Sequence, residues 1–380
     1  MNMDMEKIYE ALNKLNQGNN NLRRWTSFIT KGSHDEISKQ ALNSAICYML
    51  AVEVQKAGLK VNFNLFPKIA IYRSFQKVYV NYDIPEHILE EICYLGKIDF
   101  NENFKTATLN TIRDVAGEEF AEFLKQGCDT LEERIYKAAT KIATLLELKE
   151  IKNNVNGDYD EKYEEIISSM TKYEDIPGFE DLRDQNGGYW KVFKDISKLR
   201  YQNRWASYSY QVECSVLGHL FETAEYAYFM ALEKGYTEDV ATKCFFMGIF
   251  HDIPETYTRD IPSPIKDSIP NFRKVTEVYE LEMMRKNMYP FVSEKGKEAL
   301  ENVMFETDEN AIFKSLIKGA DYMSAIAEIW RQLKAGTRDE DFVYAMEGHF
   351  PKFKAGLAEF TPGTEKFAYK MFSYAQSLNL

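Results

Sequence analysis

The chain has 380 residues, a formal net charge of −12, and 45% hydrophobic and 14% aromatic residues. That apolar content excludes a disordered chain and supports more than one core, and the length is comfortable for two domains. The acidic balance argues against extended nucleic acid and anionic membrane surfaces as partners.

No stretch approaches the ~20 uncharged apolar residues of a membrane span. The first residues, Met1 to Glu6, lack a basic segment followed by an apolar core. A signal peptide is therefore not expected, and the cytoplasm is the expected location. Cys47, Cys93, Cys128, Cys214 and Cys244 are odd in number, scattered and without a CxxC pair. They read as reduced core residues. The apolar periods are mostly helical, so the expected fold class is all-α.

In chain order, the first helix is expected over residues 6–15, ended by the polar run Gln17–Leu22. Arg23-Arg24-Trp25 follows. Pro177 to Gly188, with Gly178 and Asp184-Gln-Asn-Gly-Gly188, lacks an apolar period and reads as a linker. Beyond it come Arg204-Trp205 and an apolar helical stripe from Val216 to Leu232, with His219 beside the stripe. Cys244 to Phe250 has the composition of a buried helix and runs into His251-Asp252-Ile-Pro-Glu255.

Charge at the end of a buried helix is costly unless it is paired or holds a metal. A His-Asp doublet suits Zn, Mn, Fe, Co or Ni better than Ca. Pro254 is expected to end the helix and leave Glu255 and Asp260 on a loop. Arg204, Arg259 and Lys266 are the cations placed to focus a small anionic substrate. Helices are expected over 271–286 and 293–305, with the acidic run Glu306–Asn310 capping the next one. That next helix carries Asp321 on the margin of the apolar face formed by Phe313, Leu316, Ile317, Ala320, Met323 and Ala327. Gly336 is its expected C-cap. The tail with Tyr369, Phe372 and Tyr374 is expected to pack as an amphipathic element.

Taken in order, His219, His251-Asp252 and Asp321 resemble the H…HD…D metal signature of the HD-domain phosphohydrolases. A narrower likeness, to the bacterial HD-domain 5′-deoxynucleotidases, rests on three features. Arg204-Trp205 stands fourteen residues before His219, Asp260 stands nine after His251, and the text HDxxE…DxPxPxK runs from His251 to Lys266. The likeness spans residues 204–331. That family commonly has an acidic residue just before its first metal histidine, where this chain has Leu217-Gly218.

The resemblance implies one divalent ion (Mn, Co, Zn, Fe or Ni) held by His219, His251, Asp252 and Asp321. It implies phosphate release from (deoxy)nucleoside 5′-monophosphates by attack of a metal-bound water. Arg204 would clamp the phosphate and Lys266 would join it in binding substrate. Glu255 and Asp260 would share water positioning and proton transfer, and Trp205 would pack where a ribose 2′-hydroxyl would sit. The alternatives are a phosphodiesterase acting on a cyclic or signalling nucleotide, and a non-catalytic nucleotide-sensing protein. Retention of all six acid, base and ligand residues favours the enzyme.

The first half repeats the second. Arg24-Trp25 precedes Arg204-Trp205 by 180 residues, and similar offsets align Arg73-Ser74 with His251-Asp252, Lys77 with Glu255, Asp83-Ile-Pro85 with Asp260-Ile-Pro262, and Thr140 with Asp321. Lys39 falls where the second copy has His219. Residues 1–180 are therefore expected to be a degenerate HD-like domain without metal ligands, and residues 185–380 the catalytic domain. Its Lys and Arg replacements either preserve helix contacts or form an anion pocket without a metal. HD-domain enzymes of this type resemble single-domain chains that dimerise, so the two copies are expected to pack as an intramolecular pseudo-symmetric pair.

Overall fold

The computed structural model describes residues 3–30, 32, 34–82, 84–151, 158–259, 261, 265, 268–304, 311–356 and 362–378. Among these residues there is no strand, and the chain is all-α. The first half holds α1 (Met5–Asn21), α2 (Glu36–Lys56), α3 (Leu65–Phe75), α4 (Glu86–Gly96), α5 (Phe100–Ala116), α6 (Glu118–Lys125), α7 (Leu131–Ile151) and α8 (Tyr159–Met170). A π-helical turn, Gln76–Asn81, extends α3. The second half holds α9 (Phe179–Arg183), α10 (Gly188–Ser197), α11 (Val216–Glu233), α12 (Glu238–Phe250), α13 (Glu255–Thr258), α14 (Phe272–Asn287), α15 (Glu294–Met304), α16 (Ala311–Lys334), α17 (Glu340–Gly356) and α18 (Pro362–Ser377). No helix among the described residues is long and apolar enough to cross a membrane.

Three local expectations change. The polar run after Leu15 does not end α1, which continues to Asn21. Two of its buried asparagines find partners at a distance: Asn16 Nδ2 donates to Glu225 Oε2 at 2.7 Å, and Asn20 Nδ2 donates to the Glu213 carbonyl at 2.8 Å. Tertiary hydrogen bonds thus override the weak helix propensity of Asn. The stretch read as a linker is packed, since α9 buries Phe179 and Leu182 completely. Glu255 lies on the short helix α13 rather than on a loop, because the chain re-forms a turn directly after Pro254. The acidic run Glu306–Asn310, like Asp83, lies outside the described residues.

Other expectations hold. α12 stops at Phe250 with His251 as its C-cap, and α16 ends at Lys334 with Gly336 at φ 96°. The aromatic tail forms α18, where Phe372 stacks on Phe350 with ring centroids 4.2 Å apart. All five cysteines are free, and only Cys128 is not fully buried.

The site is positioned by α11, α12 and α16. α11 and α12 pack closely because Gly248 has no side chain: a Cβ there would lie 2.5 Å from Ala224 Cα and 2.8 Å from Ala224 N. Close approach fixes the distance between His219 on α11 and His251 at the end of α12. At its start α11 crosses α2, where Ser215 Oγ and Ser38 Oγ are hydrogen-bonded at 2.8 Å. A Cβ on Gly218 would lie 2.7 Å from Ile37 Cγ2. A side chain at position 218 would therefore have to displace Ile37.

Several local structures occur twice. Antiparallel bridges join Arg23 to Asp35 and Asn203 to Ser215. Arg24 N donates to the His34 carbonyl and Arg204 N to the Cys214 carbonyl, both at 2.7 Å. Trp25 and Trp205 both have φ 61°. Tyr9 OH donates to Glu233 Oε2 at 3.0 Å, while Tyr189 OH donates to Glu53 Oε1 at 2.5 Å. The buried apolar residues of both halves form one continuous core cluster.

Gly248→Ala should destabilise the protein by about 1–3 kcal/mol, because the methyl meets helix backbone that cannot move aside. Denaturant unfolding of the variant measures this; an unchanged midpoint would show that the helices can separate freely.

Candidate metal centre and phosphate site

Ser215 caps α11 by accepting from Gly218 N at 2.9 Å, which starts the helix one turn before His219. His219 is buried, and its imidazole lies 5.6 Å from that of His251, centroid to centroid. One ligand atom each from His219, His251 and Asp252 lies within 4.8 Å of the other two, a spacing that can hold one cation. Asp321, four residues along α16 from Ile317, places Oδ1 3.2 Å from His219 Nε2. Lys318, one turn earlier, pairs with its other oxygen.

Hydrogen bonding tests whether these residues suit a metal. His251 Nδ1 lies 2.7 Å from the Gly248 carbonyl, which can only accept, so Nδ1 carries the proton. That leaves Nε2 as a lone pair. It is buried, 3.2 Å from Asp252 Oδ2, and has no hydrogen-bond donor facing it among the described residues. His219 Nδ1 lies 2.9 Å from Ser324 Oγ and 3.3 Å from Glu328 Oε1, which aims Nε2 at Asp321. Two imidazole lone pairs facing two carboxylates call for a cation between them, and a carboxylate behind a ligating His is a common orienting device. The residues fit a divalent ion.

The charges agree. Burial and Arg204 press the His219 imidazole down, but its hydrogen bonds to the Asp321 and Glu328 carboxylates outweigh them and raise it to about 9, so without a metal a proton occupies the place between Nε2 and Asp321 that a cation would take. Burial opposes ionisation of Asp252, yet His251 holds its carboxyl down at about 2. Asp321 is held well below the ordinary carboxylate range by Lys318 and His219 against the same burial. The cluster favours carboxylates that stay charged and an added positive charge among them.

Glu328 is the residue that sequence reasoning missed. It is buried on α16, and Oε2 accepts from Arg204 Nε at 2.9 Å and from Trp205 Nε1 at 2.7 Å. Burial raises its carboxyl pKa, but Arg204 and His219 bring it down to about 2. Its seven-residue spacing from Asp321, two helical turns on one face, was the available signal. His349 was also passed over; its ring lies 5.9 Å from Trp205 and 6.0 Å from Tyr322.

Arg204 and Trp205 therefore sit beside the metal cluster, tied to it through one carboxylate. Trp205 packs against Tyr208 and Phe342 at 5.4 and 5.7 Å, so it is both a substrate-wall candidate and a packing residue. Glu255 is buried at the start of α13, three residues beyond Asp252. Asp260 and Lys266 lie outside the described residues.

A helical bundle that offers one His from a helix, a His-Asp pair from the end of the next and an Asp from a third has the arrangement of the HD-domain superfamily. Residues 191–368, just under half of the chain, match the family model described as 5′-deoxynucleotidase YfbR-like. No curated protein matches the chain.

Glu328→Gln should weaken divalent-metal binding about 10–100-fold, because His219 loses the carboxylate that orients it. Calorimetric titration of the apoprotein with Mn or Co measures this, and an unaltered affinity would limit Glu328 to holding Arg204 and Trp205.

Proposed function

We propose that the chain is a divalent-metal-dependent phosphohydrolase that releases phosphate from (deoxy)nucleoside 5′-monophosphates. The observation that carries this reading is the joining of two sites by Glu328: the His219–His251–Asp252 cluster on one side and the Arg204-Trp205 pair on the other. A metal cluster alone would suit many reactions. A metal cluster tied to a fixed guanidinium and an indole suits a phosphate ester with a ring beside it.

His219, His251, Asp252 and Asp321 would hold the ion. When bound, it supplies Lewis-acid charge at a phosphoryl oxygen and lowers the pKa of water. Arg204, fixed through Nε, supplies positive charge to the non-bridging oxygens as charge builds on them. Glu255 and Asp260 divide two tasks: orienting the water that forms the new P–O bond, and returning a proton to O5′ as the old P–O bond breaks. Trp205 limits the space beside the sugar and so favours the 2′-deoxy form.

The two halves, residues 1–180 and 185–380, are proposed to be copies of one domain packed as a pseudo-symmetric pair. The reciprocal Tyr9–Glu233 and Tyr189–Glu53 hydrogen bonds and the doubled Arg-Trp turn support this reading. α11 would be covered on its outer face by the first half, for example where Phe229 meets Phe120 at 5.6 Å. Tethering keeps that cover at high effective concentration.

Asp321→Ala should remove both bound metal and phosphate release, read by elemental analysis and by assay of dAMP hydrolysis with Mn or Co. Full metal occupancy in that variant would remove Asp321 from the ligand set. Glu255→Ala should lower kcat by about 10²-fold with metal retained, while Arg204→Ala should act mainly on kcat/KM for phosphate-bearing substrates. Residues 185–380 expressed alone should self-associate or aggregate, as gel filtration would report. A stable, fully active monomer would mean that the first half is not a structural partner.

A further inference from the structure

The first half contains a cavity of about 430 Å³ at the place that corresponds to the metal centre of the second. Its described lining includes eight Lys or Arg side chains against four Glu, in a chain whose net charge is −12. A local excess of cations in an acidic protein focuses an anion. The volume lies within the usual range of small-molecule sites, about 300–1,000 Å³.

Half of the phosphate-site architecture is present there. Glu147 Oε2 accepts from Arg24 Nε at 3.2 Å, Arg24 Nη2 at 3.1 Å and Trp25 Nε1 at 3.0 Å, as Glu328 does for Arg204 and Trp205. The metal half is gone. Thr140 Oγ1 turns back to the Tyr136 carbonyl at 2.9 Å, and Ser74 is wholly buried. Arg73 is braced by Glu133 at 3.1 Å, and the π-helical turn after it carries Gln76 and Lys77 along the cavity.

Lys39 is the decisive residue. It takes the position of His219, lines the cavity and is buried, and its ammonium has no hydrogen-bond or ion-pair partner among the described residues. Glu147 does not neutralise it directly, because Arg200, fully buried, approaches Glu147 Oε1 at 3.1 Å. Burial, with Arg24 next, brings the Lys39 ammonium down to about 7. Glu36 also faces it but is paired with Arg24 at 2.9 Å, so the ammonium is near carboxylates it does not touch, and an incoming anion would lower the cost of burying it.

We propose that this cavity is a second, metal-free site that binds a nucleoside monophosphate through its phosphate, on Lys39 and Arg73, without hydrolysing it. Anion binding follows from the cavity itself. The choice of a nucleoside rests on the hydrolase reading, through the shared Arg-Trp turn and the aromatic wall of Trp25 and Phe28, whose rings meet edge to face at 5.7 Å.

The test uses the full chain carrying Asp321→Ala, in EDTA, titrated calorimetrically with dAMP, inorganic phosphate and deoxyadenosine. The expected result is saturable dAMP binding, weaker phosphate binding and none for deoxyadenosine. Lys39→Gln and Arg73→Gln should each weaken dAMP about 10-fold or more, the value of one charge-assisted hydrogen bond. Arg204→Ala should leave this binding within about twofold. Using two cavity variants guards against misfolding of either one, with thermal melting as the check. Absence of saturable binding, or loss of binding with Arg204→Ala and not with Lys39→Gln, would overturn the proposal. Because neither metal nor turnover enters the measurement, failure of the hydrolase reading would leave this result unchanged.

Discussion

Glu328 lies at the point where the electrostatics of the second half converge. A buried carboxylate is costly unless it is paired and hydrogen-bonded. Here it draws in Arg204, Trp205 and His219 together. Those contacts hold Trp205 in the left-handed region, a backbone state that costs on the order of 1–3 kcal/mol for a non-glycine residue. The strain is local, and the three interactions that offset it come from α11, α16 and the turn before α11. Remove the carboxylate, and both the phosphate-clamp candidate and the first metal-ligand candidate lose their support at once.

The same device appears at Glu147, with Arg24 and Trp25 in the same backbone geometry. What differs is the content of the cavity beside it. In the second half the neighbouring positions are imidazoles and carboxylates, which need a cation. In the first they are an ammonium and a guanidinium, the latter braced by Glu133, and the described lining carries more cations than carboxylates. On the proposed reading of two copies, one scaffold supports opposite electrostatic demands, since the helices are set by packing and by the buried glutamate while cavity charge is set by a few side chains.

Coupling between the halves is built from polar as well as apolar contacts. Arg331 holds Glu222 with two hydrogen bonds of 2.7 and 2.6 Å and also donates to Asn13 of α1 at 2.8 Å. Asn16 reaches Glu225, whose carboxyl burial pushes up strongly. Each of these groups would be costly to bury without its partner, so the polar pairs fix the register in which the halves meet. The continuous core reflects the same constraint.

The amino-acid sequence alone was enough for the all-α class, while the grouping of His219 with His251 and Asp252 came from the resemblance of their order to the HD signature. Helical periods are local, and the His-Asp doublet followed by Pro254 is a short-range signal. The doubled Arg-Trp turn was also legible, because its two copies keep their spacing to Lys39 and His219. Other features required the tertiary structure. The asparagines of α1 stay helical only because Glu225 and the Glu213 carbonyl await them. Gly218 is explained only by the approach of Ile37 from the other half. Glu328 looks like any helical glutamate until α16 folds against the Arg204 turn. In each case the deciding partner is more than a hundred residues away, and periodicity along the chain carries no information about a contact made across it.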